Sequence, residues 1–411
     1  MKVNIMIAQS GGPTSAINAS LSGAILEGIR HERIDKIYGA LNGISGVIER
    51  RIIELQSQIK TDEQFKLLEC TPAMALGSCR LKMSNYTQDD TLYHKILNTF
   101  IDYNIGMFFY IGGNDSMDTA NKLNQFFLLK GHDIKVIGIP KTIDNDLKGT
   151  DHAPGYGSAA KFIAASMTEI ARDCSVYNTK SVTIVEIMGR NAGWLTAAAA
   201  LPRTLGFSAP HLIYMPEVNF DLKQFENDIR TMHQTYNSVV IAVSEGIKFA
   251  DGNYVSDSES TGQIDNFGHK YIAGAGKFLE RYIANNINCK VRSIELNILQ
   301  RCAAHMLSAT DIAEAKRIGQ FAVRFALAGK TGVMTAFTRV SNVPYISDIT
   351  TIPLCEVANL EQKVPLEWIS PSKNDVSQEI YSYILPLIYG EVQYPTKNGI
   401  PNFFSFEKNL I

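Results

Sequence analysis

The chain is 411 residues long, 45% hydrophobic and 19% charged, with a formal net charge of −2. That length exceeds one ordinary core and predicts two domains; the composition excludes a disordered chain, and the charge gives no sign of a nucleic-acid partner. No apolar run approaches a membrane span, and the six cysteines have no close pairs, so neither a membrane partner, a zinc site nor a disulfide framework is expected, and reduced cytoplasmic thiols are.

The chain opens on a strand pattern, Val3–Ala8, too short for the apolar core of a signal peptide. Gln9–Ser15 is a tight turn with Gly11 and Gly12, and Ala16–Ile29 is helical in pattern. Strand, glycine turn and helix in that order aim backbone N–H groups at a phosphate. The turn is not a Walker A loop, because no lysine and hydroxyl follow at its spacing; at Gly329-Lys330-Thr331, Arg324 stands where the first glycine should be. Lys36–Ala40 is a second strand. The loop Gly77–Lys82 sets Arg80 and Lys82 two apart, as a phosphate clamp would and as a solvated loop would.

Met107–Ile111 is a strong apolar strand that ends in Gly112-Gly-Asn-Asp-Ser116, with a helix from Met117 to about Leu129. Val136–Ile139 is another, and it must end at Pro140, which cannot donate to a ladder. Thr150–Lys161 reads as a turn between domains that leads into a helix. Ser181–Ile187 is a strand ending in Met188-Gly-Arg190. His211–Met215 and Ser238–Val243 follow, the second ending in Ser244-Glu-Gly246. Val291–Leu296 begins a segment that closes with Gln300-Arg301. Such alternation predicts parallel α/β sheets. After Asn342 the chain is proline-spotted and is expected to pack on the second domain.

The stretch Ile137–Leu147 carries the chemistry. It sets an amine (Lys141), a hydroxyl (Thr142) and two carboxylates (Asp144 and Asp146) just past a strand's carboxyl end, where open α/β sheets bind ligands. On an extended backbone both carboxylates would face one side and repel unless a metal or a proton lay between them. Acid, base and cation together suit proton abstraction beside a polyanion; a polar loop capping a strand is the plain alternative. Three loops at the same end of successive strands, at 11–12, 112–116 and 141–146, argue for one shared polyphosphate site. His152, His211, His305 and Trp194 read as structural residues.

In this order, Gly11-Gly12, Gly77-Ser-Cys-Arg80, Gly112–Ser116, Pro140–Asp146, Met188–Arg190, Ser244–Gly246 and Gln300-Arg301 resemble the 6-phosphofructokinases over about residues 3–360. The resemblance implies two Rossmann-like three-layer α/β domains with mainly parallel sheets and the active site in the cleft between them. Residues 1–150 with about 300–342 would be the phosphoryl-donor domain, and 151–299 with about 343–411 the sugar-phosphate domain. It further implies in-line phosphoryl transfer to the 1-hydroxyl of fructose 6-phosphate. Asp144 would be the base, with Thr142 and Asp146 beside it, and Arg190 would steady the transferring group. Met188, Gly189 and Glu245 would shape the sugar site. Arg292 and Arg301 would hold the 6-phosphate, Arg292 from a neighbouring subunit, which implies a homo-oligomer; chain length within the family suggests a homodimer. Ile298 stands where relatives often place histidine or tyrosine near that phosphate, and Ser181 where many have a trans-acting arginine.

Asp115 and Lys141 stand where ATP-dependent relatives usually have glycine. The carboxylate would take the place of a nucleotide's α-phosphate, and the lysine would supply a cation for pyrophosphate. With Gly12, Arg80, Lys82 and Ser116 as further contacts, the resemblance is to the pyrophosphate-dependent branch, with a reaction near equilibrium. Magnesium is the implied cofactor, and Asn114, where many relatives have aspartate, its implied contact. Alternatives are an ATP-dependent kinase of fructose 6-phosphate or sedoheptulose 7-phosphate, and a non-catalytic regulatory paralogue.

Overall fold

The computed structural model describes residues 2–176, 178–258 and 274–411. Its apolar runs form strands Val3–Gln9 (β1), Ile34–Ala40 (β2), Ile52–Glu54 (β3), Ile105–Gly112 (β4), Lys135–Pro140 (β5), Ser181–Ile187 (β6), Leu212–Tyr214 (β7), Ser238–Ser244 (β8), Lys290–Glu295 (β9), Val333–Asn342 (β10) and Tyr345–Pro353 (β11). Seven of them make one sheet in the order β11-β10-β5-β4-β1-β2-β3, and four make a second in the order β7-β8-β6-β9. The small sheet is wholly parallel. In the large one only the outer strands β3 and β11 run antiparallel to their neighbours. The expected mainly parallel α/β architecture is therefore what the chain adopts.

Each sheet is buried on both faces, which is why its central strands read as unbroken apolar runs. In β1, Ile5 and Ile7 join one core cluster while Met6 and Ala8 join the cluster on the opposite face. Helices Ile17–Arg30 and Ala309–Leu327 cover the first face through Ile17, Leu21, Ile318 and Ala322. In the small sheet, Val182 and Ile184 join one cluster and Val185 and Ile187 the other. The strand order reverses at β1, which lies between β2 and β4, and ligand crevices form at such a reversal beyond the strands' carboxyl ends.

The expected return to the sugar-phosphate domain at about residue 342 does not match the strand pairing. Residue 342 lies in a hairpin: β10 pairs with β5 on one side and β11 on the other, so 345–353 stay in the large sheet. The segment after it divides between the halves. Ile380, Ile384 and Leu387 pack with Val185 and Ile187 of the small sheet, whereas Phe406 packs with Ile5 and Ile7 of the large one. Among the described residues no helix is long and apolar enough to cross a membrane, and all six cysteines are free.

Candidate active site

The strand ends named above converge on one cleft of about 620 Å³. Its lining includes Gly12, Arg80, Lys82, Asn114, Asp115, Ser116, Lys141, Thr142, Asp144, Asp146, Met188, Arg190, Glu245 and Arg301. Gly189 lies between two lining residues and donates its N–H to Glu245 Oε1 at 3.2 Å.

Three loops build the large-sheet wall. Gly11 follows β1 with φ of 82°, a left-handed conformation that favours glycine. A Cβ on Gly11 would lie 3.0 Å from Lys141 Nζ, so the turn also makes room for that ammonium. Lys141 extends the β5 ladder by donating its backbone N–H to Gly112 O at 3.0 Å, and its Nζ donates to Gly12 O at 2.7 Å. The side chain is thus pinned across the ends of β1, β4 and β5. The helix after β4 runs from Asn114 to Leu129, three residues earlier than its apolar pattern begins. Asn114, Asp115 and Ser116 therefore form its first turn, where free N–H groups and the helix dipole favour anions.

The catalytic-type loop departs from the extended form expected of it. Asn145 has φ of 55°, so the chain turns between the two aspartates, yet both carboxyls still line the cleft. Thr142 Oγ1 accepts from Asp144 N at 3.1 Å and holds the near side of the turn. On the small-sheet wall, Ser244 Oγ donates to Gly189 O at 2.7 Å, and Gln300 Oε1 accepts from Met188 N at 3.1 Å. A Cβ on Gly246 would lie 1.8 Å from Arg190 O, so only glycine lets these two loops meet.

Burial dominates the electrostatics. It raises Asp144, against the pull of Lys141, Arg190 and Arg301, and it raises Asp146 to about 7, with Asp144 and Glu361 adding repulsion. It raises Glu245 to about 8, with Asp144 adding to the effect. It lowers Lys141 to about 8, although Asp144 and Asp146 favour its charged form. Groups pushed toward neutrality from both sides, in one cleft, are what proton transfer at physiological pH requires.

Two expected contacts lie outside the cleft. Arg292 sits on edge strand β9, where its Nε donates to Thr183 Oγ1 and its Nη2 to Asp173 Oδ2, both at 3.1 Å. Ile298 is 54% exposed and does not line the cleft. Arg301 comes beside the donor-side turn, its Nη1 3.9 Å from where a Cβ on Gly12 would stand.

Asn114 uses the nitrogen of its side chain to hold a neighbouring segment. Its side-chain amide donates to the carbonyls of Val357 and Leu360, at 3.3 and 3.0 Å. These belong to a strap, residues 357–362, whose Asn359, Leu360 and Glu361 complete the cleft. Asn359 Nδ2 donates to Asp118 Oδ1, Asn191 Nδ2 to Glu361 Oε1, and Gln362 N to Asp146 O. The strap thus spans both walls. Nothing in its short, irregular sequence announces it, because its partners, mostly side chains such as Asn114, Asp118 and Asn191, lie far away in the chain.

Among the described residues, no group of three His, Cys, Asp or Glu side chains is placed to hold a metal ion unaided. Magnesium asks for less, since it keeps waters and takes phosphate oxygens beside one or two carboxylates. Asp144 and Asp146, adjacent and mutually repelling, fit that requirement.

The phosphofructokinase family profile matches residues 4–326. Over 411 aligned residues the chain is 37% identical to a pyrophosphate–fructose 6-phosphate 1-phosphotransferase of Halomonas elongata, covering 99% of this chain and 97% of that one. Its counterpart in Xanthomonas campestris is 38% identical, covering 98% and 96%. The crystal structure of a pyrophosphate-dependent phosphofructokinase from Marinobacter aquaeolei superposes with a TM-score of 0.88 at 35% identity, covering 100% of this chain and 97% of that one. Glycine loops at the strand ends, a carboxylate pair at the cleft floor and similarity along the whole chain agree, and the chain belongs to the phosphofructokinase family.

Proposed function

We propose that the chain transfers a phosphoryl group reversibly from pyrophosphate to the 1-hydroxyl of fructose 6-phosphate, giving fructose 1,6-bisphosphate and phosphate in glycolysis. The observation that carries the choice of donor is the pair at the closed end of the large-sheet wall. There the Lys141 ammonium is pinned on Gly12 O, and Asp115 stands in the first helical turn. Lys141 supplies positive charge for a small diphosphate, and the carboxylate disfavours a nucleotide's α-phosphate by bulk and charge.

In this reading Asp144 accepts the proton of the sugar's 1-hydroxyl as its oxygen bonds to the nearer phosphorus. The bridging P–O bond of pyrophosphate breaks, and phosphate leaves. Lys141, Arg80, Lys82, Gly12 and the helix start with Ser116 hold the donor, and Arg190 faces the transferring group. Such transfer needs positioning and charge neutralisation more than covalent help. Magnesium, held by Asp144 and Asp146 with phosphate oxygens, would supply further neutralisation; Asn114 serves the strap. Met188, Gly189 and Glu245 shape the sugar site, and Arg301 reaches it from the cleft floor.

Arg292 points away from its own cleft, which supports a homodimer in which it completes the neighbour's 6-phosphate site. Six free thiols suit the cytoplasm.

The test is formation of fructose 1,6-bisphosphate with magnesium and either pyrophosphate or ATP at equal concentration. Turnover with pyrophosphate, reversed by added phosphate, is the expected result. Turnover with ATP alone would overturn the roles given to Asp115 and Lys141. Inertness with both would point to a regulatory paralogue.

A further inference from the structure

The turn between the two cleft carboxylates is held from behind by a residue more than two hundred positions away. Asn145, 2% exposed, uses both ends of its side chain: Oδ1 accepts from Ala153 N at 3.0 Å, and Nδ2 donates to the Tyr383 hydroxyl at 2.8 Å. That hydroxyl in turn donates to Asp151 O at 2.5 Å. Tyr383 is itself fixed. Its ring lies 5.0 Å from that of Trp194, and the Arg339 guanidinium sits 4.5 Å above it while pairing with Asp151. On the far flank, Gln362 N donates to Asp146 O at 2.8 Å.

We propose that Tyr383, acting through Asn145, is a positioning residue for Asp144 and Asp146. It touches no substrate. Its hydroxyl holds Asn145 in a left-handed conformation that asparagine tolerates but that needs support, and so sets where both carboxyls point. The inference rests on the phosphotransfer reading of the cleft and deepens it by assigning work to a segment beyond the family's matched residues 4–326.

Phenylalanine at 383 keeps the ring and removes only the oxygen. Displacing reacting groups by about 1 Å can cost on the order of 100-fold in rate, so Tyr383→Phe is expected to lower kcat by roughly 10- to 100-fold with little change in either substrate's KM. Asn145→Gly keeps the backbone freedom and removes the same bond together with the one accepted from Ala153 N. The double variant should then be no slower than Asn145→Gly alone, since that change has already broken the link through which Tyr383 acts. Tyr381→Phe, which removes a hydroxyl that accepts from Arg203 Nη1, should keep wild-type rates. A kcat for Tyr383→Phe within about twofold of wild type, or independent multiplication in the double variant, would overturn the proposal. Should Tyr383→Phe fail to fold, an undiminished kcat in Asn145→Gly would overturn it and a fall with unchanged KM would support it. All ratios are read with whichever donor gives turnover, so failure of the pyrophosphate reading and failure of this one are told apart.

Discussion

Asp146 and Lys141 meet opposite requirements within one buried cluster. In the proposed reaction the carboxylate pair must be unprotonated to accept a proton, which burial and mutual repulsion postpone to about pH 7 for Asp146. In the same proposal the lysine must be protonated to attract the donor, and burial ends that near pH 8. The dependence of kcat/KM on pH should therefore be a narrow bell, its acid limb belonging to the carboxylate pair rather than to either member. Glu361 raises both aspartates, so Glu361→Gln should move the acid limb to lower pH and leave the alkaline limb in place. A pH–rate profile of that variant is the check; an unmoved acid limb would show that the Glu361 charge does not act on the pair.

At the scale of elements, His152 ties the turn after the catalytic loop to the long helix Ala309–Leu327 and to the β10–β11 hairpin. Burial alone would lower its pKa, but Glu314 and Asp151, 2.7 and 2.8 Å from its two ring nitrogens, raise it to about 9. Glu314 also accepts from Tyr345 and Ser347 on β11, and Arg339 on β10 pairs with Asp151. A raised histidine stabilises the fold fully below its unfolded value of about 6.5, and that contribution fades as pH rises through 9, a swing of roughly 3 kcal/mol. The melting temperature should fall between pH 7 and 10, and His152→Gln should flatten the fall; an equal decline in the variant would place the sensitivity elsewhere. The strand ends were legible in the sequence because glycine and proline mark them and because both-face burial makes β1, β4 and β5 unbroken apolar runs. The β10–β11 hairpin was not: its outer half alternates exposed and half-buried residues such as Arg339, Val340 and Ser341, and its residues past 342 stay with the large sheet instead of the second domain expected of them. The roles of Asn114 and Tyr383 were hidden for another reason. Each acts on a neighbour distant in the chain, Asn114 on backbone carbonyls and Tyr383 on a side chain and a carbonyl, and no local spacing records such pairs.

At the scale of the whole molecule, Arg292 gives the proposed homodimer a direct test. If each site takes Asp144 from one chain and Arg292 from the other, Arg292→Ala and Asp144→Asn chains fail separately and help each other when mixed. A symmetric dimer reassembled from equal amounts should regain about a quarter of wild-type activity, since half the dimers are mixed and each holds one intact site. No recovery in mixtures shown to exchange subunits would place Arg292 outside the neighbour's site. The anchoring of the catalytic turn by Gln362 and Tyr383 has a consequence for how the protein is made. A nascent chain that has emerged through β11 already carries every proposed catalytic side chain, yet it lacks the Tyr383 hydroxyl that meets Asn145 and the Gln362 N–H that meets the Asp146 carbonyl. On the proposed role of Tyr383, catalytic competence is acquired late in translation, when residues near 383 dock, and partly made chains on the ribosome should not turn over pyrophosphate.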